Sequence, residues 1–451
     1  MKSRQGIFRY FKKGKETRNV TYKEARVYLD EVSKYGSVLG LDTIRGLLRE
    51  LGNPQDDLTF IHIAGTNGKG SVLAYTSTIL SEAGYRTGRY VSPTVVSYLE
   101  RIQVDGEWIP EEDFAGLVEE VQKAIARMET SGEASPTVFE VETAIAFLYF
   151  KKKNCDIVVL ETGLGGTLDA TNIVERTAAA VFASISRDHM GFLGDTLEEI
   201  AGNKAGIIKP GCFVVTAGQK PEVMKILKDK ADALSCRMYT ASVKDAVVLK
   251  ENWDRQEFTC GKWKNIHIPL AGRHQISNAV TVLELIDGLN ENGFHITEKA
   301  VRDGFAKTSW PGRFTCIHKE PLFIVDGAHN EDAALKLRET LEHYFAGRRL
   351  IFIMGVFKDK EYTKIAQIMA PLAEKIYTVD LPDTGRSLKA EELKEAVEPY
   401  CPGVEAVSDI GAAVGAAYHV AGAEDVILAF GSLSYLGQVM KMAESGCQTA
   451  K

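Results

Sequence analysis

Residues 59–71, TFIHIAGTNGKGS, constrain the fold of this chain more than any other segment. A short apolar strand runs into a glycine-rich turn, and after this turn the spacing of apolar residues becomes helical. Three glycines within six residues allow backbone N–H groups to face an anion, and the helix that follows adds its positive N-terminus. Lys69 supplies a positive charge and Ser71 a hydroxyl for a phosphate-bound Mg²⁺. The segment predicts a phosphate-binding loop whose ligand is ATP or a similar nucleotide.

The spacing of this loop departs from the common G-x-x-x-x-G-K-[ST] pattern. Ile63 stands where the first glycine would be, and Gly70 separates Lys69 from Ser71. We interpret the loop as a distinct subclass of phosphate-binding loop. The alternative is a glycine-rich turn without a ligand, but such a turn needs neither the lysine nor the hydroxyl.

Apolar, β-branched runs of strand length alternate with amphipathic stretches along the chain. Such runs are typical of strands covered on both faces, as in parallel α/β sheets. Residues 237–270 differ, because their short alternating segments predict a small antiparallel addition. The apolar runs are DIVVLE (156–161), AAVFASI (179–185), CFVVTA (212–217), LFIVDG (322–327), LIFIMG (350–355), KIYTVD (375–380) and DVILAFG (425–431).

A break in this alternation predicts two domains. The segment TSWPG, residues 308–312, follows a helical pattern and precedes a fresh set of strand and helix patterns. The expected fold class is α/β, with a P-loop parallel-sheet ATPase domain in residues 1–310. A smaller Rossmann-like α/β domain is expected in residues 311–451.

Composition narrows the classes of function. A net charge of −7 argues against bulk attraction to nucleic acid. Seven scattered cysteines without a C-x-x-C pair favour reduced thiols in a cytoplasm over disulfides or a zinc site. No apolar run approaches the length of a membrane span, and the basic start of the chain lacks an apolar signal region. We expect a cytoplasmic protein that binds neither nucleic acid nor membrane.

Polar side chains follow several of the predicted strands. Ser92 follows one strand, Glu161 ends another, and His189 lies just past a third. Ligands of open parallel sheets gather outside the carboxyl ends of the strands, so these groups predict a Mg²⁺–nucleotide site beside the phosphate loop. Taken singly, His189 could be a hydrogen-bonded structural histidine, and Glu161 a partner for the turn after it. The DGAHN loop, residues 326–330, follows a strand of the second predicted domain, so a cleft between the sheets could join two substrates.

The chain resembles the folylpolyglutamate synthase/dihydrofolate synthase family of the Mur ligase superfamily over nearly its whole length. A single matching string would be a weak signal, but many strings occur in the family's order. They are LGNPQ (51–55), HIAGTNGKGSV (62–72), SP…ERIQVDGE (92–107), TVFEVETAIAF (137–147), ETGLGGTLDATNIV (161–174), DHMGFLGDTLEEIA (188–201), NKAGIIKPG (203–211), GRHQISNA (272–279), WPGRF (310–314), DGAHN (326–330) and FGSLS (431–435).

The resemblance implies an ATP-dependent ligase with Mg²⁺, whose substrates are ATP, L-glutamate and tetrahydrofolate or dihydropteroate. The γ-phosphate would activate the pteroate or folate carboxylate as an acyl phosphate, and the glutamate amine would displace phosphate. Lys69, Lys204 and His329 are implied to be catalytic, with Lys204 carbamylated, although on spacing alone Lys204 could be an ordinary solvated lysine at a helix end. The remaining implied roles are ATP binding by Gly65, Thr66, Asn67, Gly68, Lys69, Gly70, Ser71, Asn278, Arg313 and Asp326, Mg²⁺ binding by Ser92, Glu161 and His189, pterin contacts by Thr137 and Asp169, and proximity to the incoming glutamate for His329 and Ser432.

The chain departs from the family pattern at four places, which cover five residues. Thr94 replaces a histidine, Thr167 an arginine, Ser186-Arg187 a Gly-Leu pair and Asn203 a glutamate. These changes affect the expected contacts with the folate, and the question whether dihydropteroate is also a substrate, more than they affect the ATP chemistry.

Two other functions remain open at this point. A cell-wall Mur ligase would use the same chemistry on a UDP-linked peptide, but only 64 residues precede Gly65, too few for a separate UDP-binding domain. A non-catalytic nucleotide sensor would keep the phosphate loop, but it would not need Glu161, Lys204 and the DGAHN loop together. We expect a monomeric enzyme.

Overall fold

The structure is a computed structural model that describes residues 20–33, 40–187, 193–382 and 385–449, with side chains to residue 444. His189 and Asp188 therefore lie outside the described residues. The strands are β1 (Phe60–Ala64), β2 (Thr87–Tyr90), β3 (Ile102–Val104), β4 (Glu107–Trp108), β5 (Ile157–Glu161), β6 (Thr177–Phe182), β7 (Phe213–Thr216), β8 (Met238–Thr240), β9 (Ala246–Asn252), β10 (Arg255–Cys260), β11 (Trp263–Ile268), β12 (Thr315–Lys319), β13 (Leu322–Val325), β14 (Leu350–Met354), β15 (Lys375–Thr378), β16 (Val404–Ala406) and β17 (Val426–Phe430).

The α-helices of the described residues alternate with these strands. They are α1 (Tyr22–Val32), α2 (Asp42–Glu50), α3 (Lys69–Glu82), α4 (Glu111–Thr130), α5 (Val138–Lys152), α6 (Leu197–Lys204), α7 (Pro221–Ala233), α8 (Arg273–Glu291), α9 (Glu298–Lys307), α10 (Glu331–Tyr344), α11 (Tyr362–Met369), α12 (Ala390–Val397), α13 (Ile410–Val420) and α14 (Leu433–Thr449).

Several helices begin where the sequence supplies a reciprocal cap. Thr21, Thr137 and Thr196 accept the backbone N–H of a glutamate three residues on, and that glutamate's carboxylate accepts the N–H of the threonine. This arrangement satisfies N–H groups that have no partner inside the helix. Local sequence therefore sets the starts of α1, α5 and α6.

The first sheet has eight strands in the order β4-β3-β2-β5-β1-β6-β7-β8. β2, β5, β1, β6, β7 and β8 run parallel, whereas β3 and β4 pair antiparallel at one edge. Residues of α1, α2, α4 and α5 share a core with one face of this sheet. Residues of α3, α8 and α9 share a core with the other face, so the central strands are covered on both sides as their apolar runs predict.

A small antiparallel sheet follows, with the order β11-β10-β9. It confirms the antiparallel addition predicted within residues 237–270, with one difference. β8 lies in that range but continues the first sheet, because it pairs parallel to β7. Phe258, Ile266 and Ile268 pack into the core that holds α8 and α9.

The last sheet has six strands in the order β12-β13-β17-β14-β15-β16, all parallel except β12. Residues of α10–α12 pack on one face and residues of α13 and α14 on the other. The predicted α/β fold class is confirmed. The proposed boundary after residue 310 falls between the end of α9 and the start of β12.

Among the described residues, no α-helix combines the length and the apolarity that a membrane span requires.

Candidate active site

The phosphate loop joins β1, whose residues are all buried, to the N-terminus of α3. The N–H groups of Thr66 and Asn67 donate to the Ser184 carbonyl at 2.7 and 3.2 Å. The Thr66 hydroxyl donates to the Ser186 carbonyl at 2.8 Å. The first half of the loop is thereby held by the segment after β6. The second half opens α3, where the first N–H groups of a helix face outward toward an anion.

Two glycines of the loop are required by close packing. Gly68 has φ of +89°, and a Cβ there would lie 2.6 Å from Oδ1 of Asn278 on α8. A Cβ at Gly70 would lie 2.8 Å from the Trp310 ring. α8 and the segment before β12 therefore press directly on the loop. Neither contact is evident from the loop's own sequence.

Glu161 ends β5 and faces the phosphate loop. Its side chain is 7% exposed, and the Lys69 ammonium lies 3.8 Å from its carboxylate. Burial raises the pKa of this carboxyl, and the charges of Lys69 and Arg313 offset only part of the rise. A buried carboxylate of this kind favours an additional positive charge nearby.

Lys204 lies at the C-terminus of α6, next to the start of the phosphate loop. It is 4% exposed, and Nζ donates to the Gly65 carbonyl at 2.9 Å. The glycine turn after β5 packs against this helix end, since a Cβ at Gly166 would lie 2.7 Å from the Asn203 carbonyl oxygen. Thr167 also donates to that carbonyl, through both its N–H and its hydroxyl, each at 2.9 Å. Thr167 and Asn203, two of the departures from the family pattern, are thus neighbours joined through the Asn203 backbone carbonyl, directly before Lys204 in the chain.

The last sheet contributes the loop after β13. The Asp326 carboxylate accepts the N–H of Phe314 at 2.8 Å and of Ala328 at 2.9 Å. Burial raises the pKa of this carboxyl, and Arg313 lowers it in part. Nδ1 of His329 donates to the Gly327 carbonyl at 2.7 Å, because a carbonyl can only accept. In the neutral ring the acceptor nitrogen is therefore Nε2.

These groups line one cavity of about 410 Å³ between the first and last sheets. The loops after the parallel strands of both sheets meet there, as the strand-end argument predicts. The predicted site residues in its wall are Gly65, Thr66, Asn67, Gly68, Lys69, Gly70, Ser71, Ser92, Glu161, Lys204, Asn278, Arg313, Asp326 and His329.

Three predicted site residues lie outside the wall of this cavity. Thr137 caps α5. The Asp169 carboxylate accepts the N–H groups of Leu164 at 2.6 Å and of Thr171 at 3.0 Å, and so shapes the turn that forms one wall. Ser432 is buried, with its hydroxyl 2.9 Å from that of Ser434. Their proposed substrate contacts stay predictions, as does metal binding by His189, outside the described residues.

Other cavity residues were not singled out from the sequence. Gln275 belongs to the string GRHQISNA, of which only Asn278 was selected, and its Oε1 accepts from Nδ2 of Asn278 at 3.0 Å. Lys336 also lines the cavity, and no local motif marks it. It could have been found only from its position on the face of α10 that meets the phosphate loop.

The described residues contain no group of three or more histidine, cysteine, aspartate or glutamate side chains that could hold a metal. Mg²⁺ bound to nucleotide phosphates needs only one or two protein carboxylates. Glu161 supplies one such carboxylate, and Ser92 lines the same cavity and donates its backbone N–H to that carboxylate.

Comparisons with known proteins match both halves of the chain. The Mur ligase middle domain family matches residues 63–286, and the Mur ligase glutamate ligase domain family matches residues 312–433. The dihydrofolate synthase/folylpolyglutamate synthase of Bacillus subtilis is 36% identical over 389 residues, which are 84% of this chain and 89% of that protein.

Solved structures extend the likeness over nearly the whole chain. The folylpolyglutamate synthase of Thermotoga maritima is 34% identical with a TM-score of 0.81, covering 94% of this chain and 97% of that chain. Escherichia coli FolC, solved in complex with DHPP and ADP, is 30% identical with a TM-score of 0.82, covering 93% of this chain and 98% of that chain.

Proposed function

The chain belongs to the folylpolyglutamate synthase/dihydrofolate synthase family of the Mur ligase superfamily, and from that premise we propose how this ATP-dependent ligase adds L-glutamate to a folate. The observation that carries the proposal is the cavity in which the phosphate loop of the first sheet faces the Asp326–His329 loop of the last sheet. One loop would hold ATP and the other would receive glutamate. A carboxylate between them would meet both partners of an amide-forming reaction.

The first step joins the folate carboxylate to phosphate. A carboxylate oxygen attacks the γ-phosphorus of ATP, the bond to the β,γ-bridging oxygen breaks, and ADP leaves with that electron pair. Lys69 and the N-terminus of α3 would stabilise the negative charge that shifts between the phosphates. Asn278 and Arg313, which line the same cavity, would orient the nucleotide.

The second step forms the amide. The glutamate amine attacks the acyl carbon, inorganic phosphate leaves, and the nitrogen loses a proton. His329 is our candidate to accept that proton, because the bond from Nδ1 to Gly327 directs Nε2 to the acceptor role. Walls from both sheets would limit hydrolysis of the acyl phosphate by water.

We assign Mg²⁺ to the Glu161 side of the phosphate loop, with Ser92 as a second oxygen donor. Glu161 supports this assignment, because its carboxylate is buried, burial raises its pKa, and it lies 3.8 Å from the Lys69 ammonium. Bound Mg²⁺ would neutralise phosphate charge and polarise the γ-phosphoryl group.

Carbamylation of Lys204 is a further part of the proposal. The Lys204 ammonium would lose one proton, the neutral amine would attack CO₂ to form an N–C bond, and loss of a second proton from the nitrogen would leave a carbamate, so that a cation becomes an anion. A buried ammonium that shares this cavity with Lys69 is electrostatically unfavourable, whereas a carbamate would attract a cation bound there. Its N–H could still donate to the Gly65 carbonyl, which Nζ contacts at 2.9 Å.

An assay of ADP release tests the proposed function. The enzyme is incubated with ATP and glutamate plus tetrahydrofolate, dihydropteroate or a UDP-linked peptide in separate reactions, and the products are identified by mass spectrometry. Product one glutamate heavier with tetrahydrofolate supports the proposal, and product with dihydropteroate adds the dihydrofolate synthase activity. ADP release only with a UDP-linked peptide, or ATP binding without turnover under all conditions, would overturn it.

We also propose a monomeric enzyme of a reducing compartment such as the cytoplasm. The six cysteines among residues with described side chains carry free thiols, which agrees with this placement. Light scattering coupled to size exclusion would measure the oligomeric state.

A further inference from the structure

The side chain of Asn67 reaches from the phosphate loop to the last sheet's first helix. Its Nδ2 donates to Oδ2 of Asp332 at 2.8 Å and to Oδ1 of Asn330 at 3.2 Å. Its Oδ1 accepts from Nδ2 of Asn330 at 3.1 Å. One amide therefore joins two parts of the chain that lie more than 260 residues apart.

Both ends of this contact rest on ordered elements. On the loop side, the backbone N–H of Asn67 donates to the Ser184 carbonyl after β6. On the helix side, Asn330 caps α10 by accepting the N–H of Ala333 at 2.9 Å. The contact therefore fixes one rigid element against another, rather than one mobile side chain against the surface.

Asp332 carries the charge of this contact. Burial alone would raise the pKa of its carboxyl, but the Lys336 ammonium at 2.7 Å and the Asn67 amide bring that pKa below its usual range. The carboxylate is therefore ionised at neutral pH, and hydrogen bonds to an ionised group are stronger than neutral ones. Asp332 does not line the cavity, whereas its partners Asn67 and Lys336 do.

We infer that Asp332 is a positioning residue for the ligase reaction, which sets the separation of the phosphate loop and the Asp326–His329 loop by holding the amide of Asn67. This inference rests on the proposed function, in which ATP binds at one loop, glutamate binds at the other, and the two substrates must meet. Asn330 directly follows His329, so the same contact fixes the end of the loop proposed to receive glutamate. An error of about 1 Å in such a separation can lower a rate about a hundredfold.

The test compares Asp332→Ala with Glu331→Ala, which is a matched control in the same first turn of α10. Glu331 is exposed, and its carboxylate pairs with the Lys364 ammonium at 3.0 Å rather than with Asn67. Both variants remove one negative charge from the helix start, so they share any effect of the helix dipole. Asp332→Asn keeps an oxygen that can accept from Asn67 and serves as the conservative rescue.

We expect Asp332→Ala to lower kcat roughly 10- to 100-fold, the range for a lost hydrogen bond to a charged group, while ATP-analogue affinity changes less than about threefold. Asp332→Asn should recover part of the rate, because it keeps the acceptor oxygen but not the charge, and Glu331→Ala should match wild type. In the double variant with Asn67→Ala, loss of Asp332 should cost less than about twofold more, because the partner is already gone. The inference would be overturned if the losses of kcat from Asp332→Ala and Asn67→Ala added in the double variant, or if Glu331→Ala lost as much kcat as Asp332→Ala.

A second readout does not depend on the ligase substrates. Hydrogen exchange of residues 65–72 should be faster in Asp332→Ala than in wild type and unchanged in Glu331→Ala, because the loop loses its tie to α10. Equal exchange in all three proteins would overturn the positioning role even if the ligase assay succeeds. Faster exchange in a protein without ligase activity would instead support the contact and reject the proposed function.

Discussion

Replacing Gly68 by alanine should weaken ATP binding through a collision that the structure measures. The new Cβ would lie 2.6 Å from Oδ1 of Asn278, whereas ordinary van der Waals contact begins at 3.4 Å. The side-chain amide of Asn278 must therefore shift. Asn278 is 8% exposed and is held by Gln275, so it has little room to do so. A displacement of nearly 1 Å at a residue proposed to bind ATP should lower affinity roughly 10- to 100-fold.

Gly293→Ala is the matched control for this variant. Its φ of +91° is close to the +89° of Gly68, and nothing lies within 4 Å of the added Cβ. Both variants should therefore lose about 1–2 kcal/mol of stability from the left-handed backbone alone. Gly293 follows the far end of α8, roughly 20 Å from Asn278 along the helix axis, so ATP binding should be unaffected.

Isothermal titration calorimetry with a non-hydrolysable ATP analogue separates the two effects. Thermal unfolding in parallel should show similar losses for both variants. If Gly68→Ala binds the analogue within about threefold of wild type, or if Gly293→Ala weakens binding equally, the steric argument is refuted.

Three further outcomes follow from the site and the core. Lys69→Ala should lower kcat by about 10²–10³ at native thermal stability, because its charge acts on the phosphates and not on packing; a rate within about threefold of wild type would contradict this. Lys204→Ala should be nearly inactive in the ADP-release assay, with partial rescue by short carboxylic acids; wild-type activity in CO₂-depleted buffer would show that carbamylation is not needed. Burial, with a smaller effect of Lys209, lowers the pKa of His62 to about 3. Between about pH 6.5 and 3 the unfolded chain therefore binds an extra proton, stability falls by about 1.4 kcal/mol per pH unit as pH falls, and His62→Gln should flatten this slope in acid unfolding curves.

Much of the site was accessible from local sequence patterns. The phosphate loop needs its glycines, lysine and hydroxyl within a few residues, and the polar groups after β5 and β13 follow strands that are apolar enough to recognise. Family resemblance added Lys204, Asn278 and Arg313, which have no local signature of their own. All three line the same cavity as the loop.

The residues that contact this site could not be predicted from local sequence patterns. Thr167 and Asn203 stood as separate departures in the sequence, yet they hydrogen bond across 36 residues of chain. Lys336 lines the cavity without a motif, because its position depends on how α10 approaches the phosphate loop. The contact of Asn67 with Asp332 spans 265 residues, and neither residue type predicts the other.

The sequence by itself determined the long apolar strands, the reciprocally capped helix starts and the glycine-rich turn of the phosphate loop, because hydrophobic period, capping and turn geometry depend on residues a few positions apart. Only the tertiary structure decided that β1 lies between β5 and β6, that Asn278 presses on Gly68, and that α10 is tied to Asn67. Such contacts join helices and strands that each form from their own local sequence. The geometry of the contacts depends on how whole sheets and helices pack to bury their apolar faces.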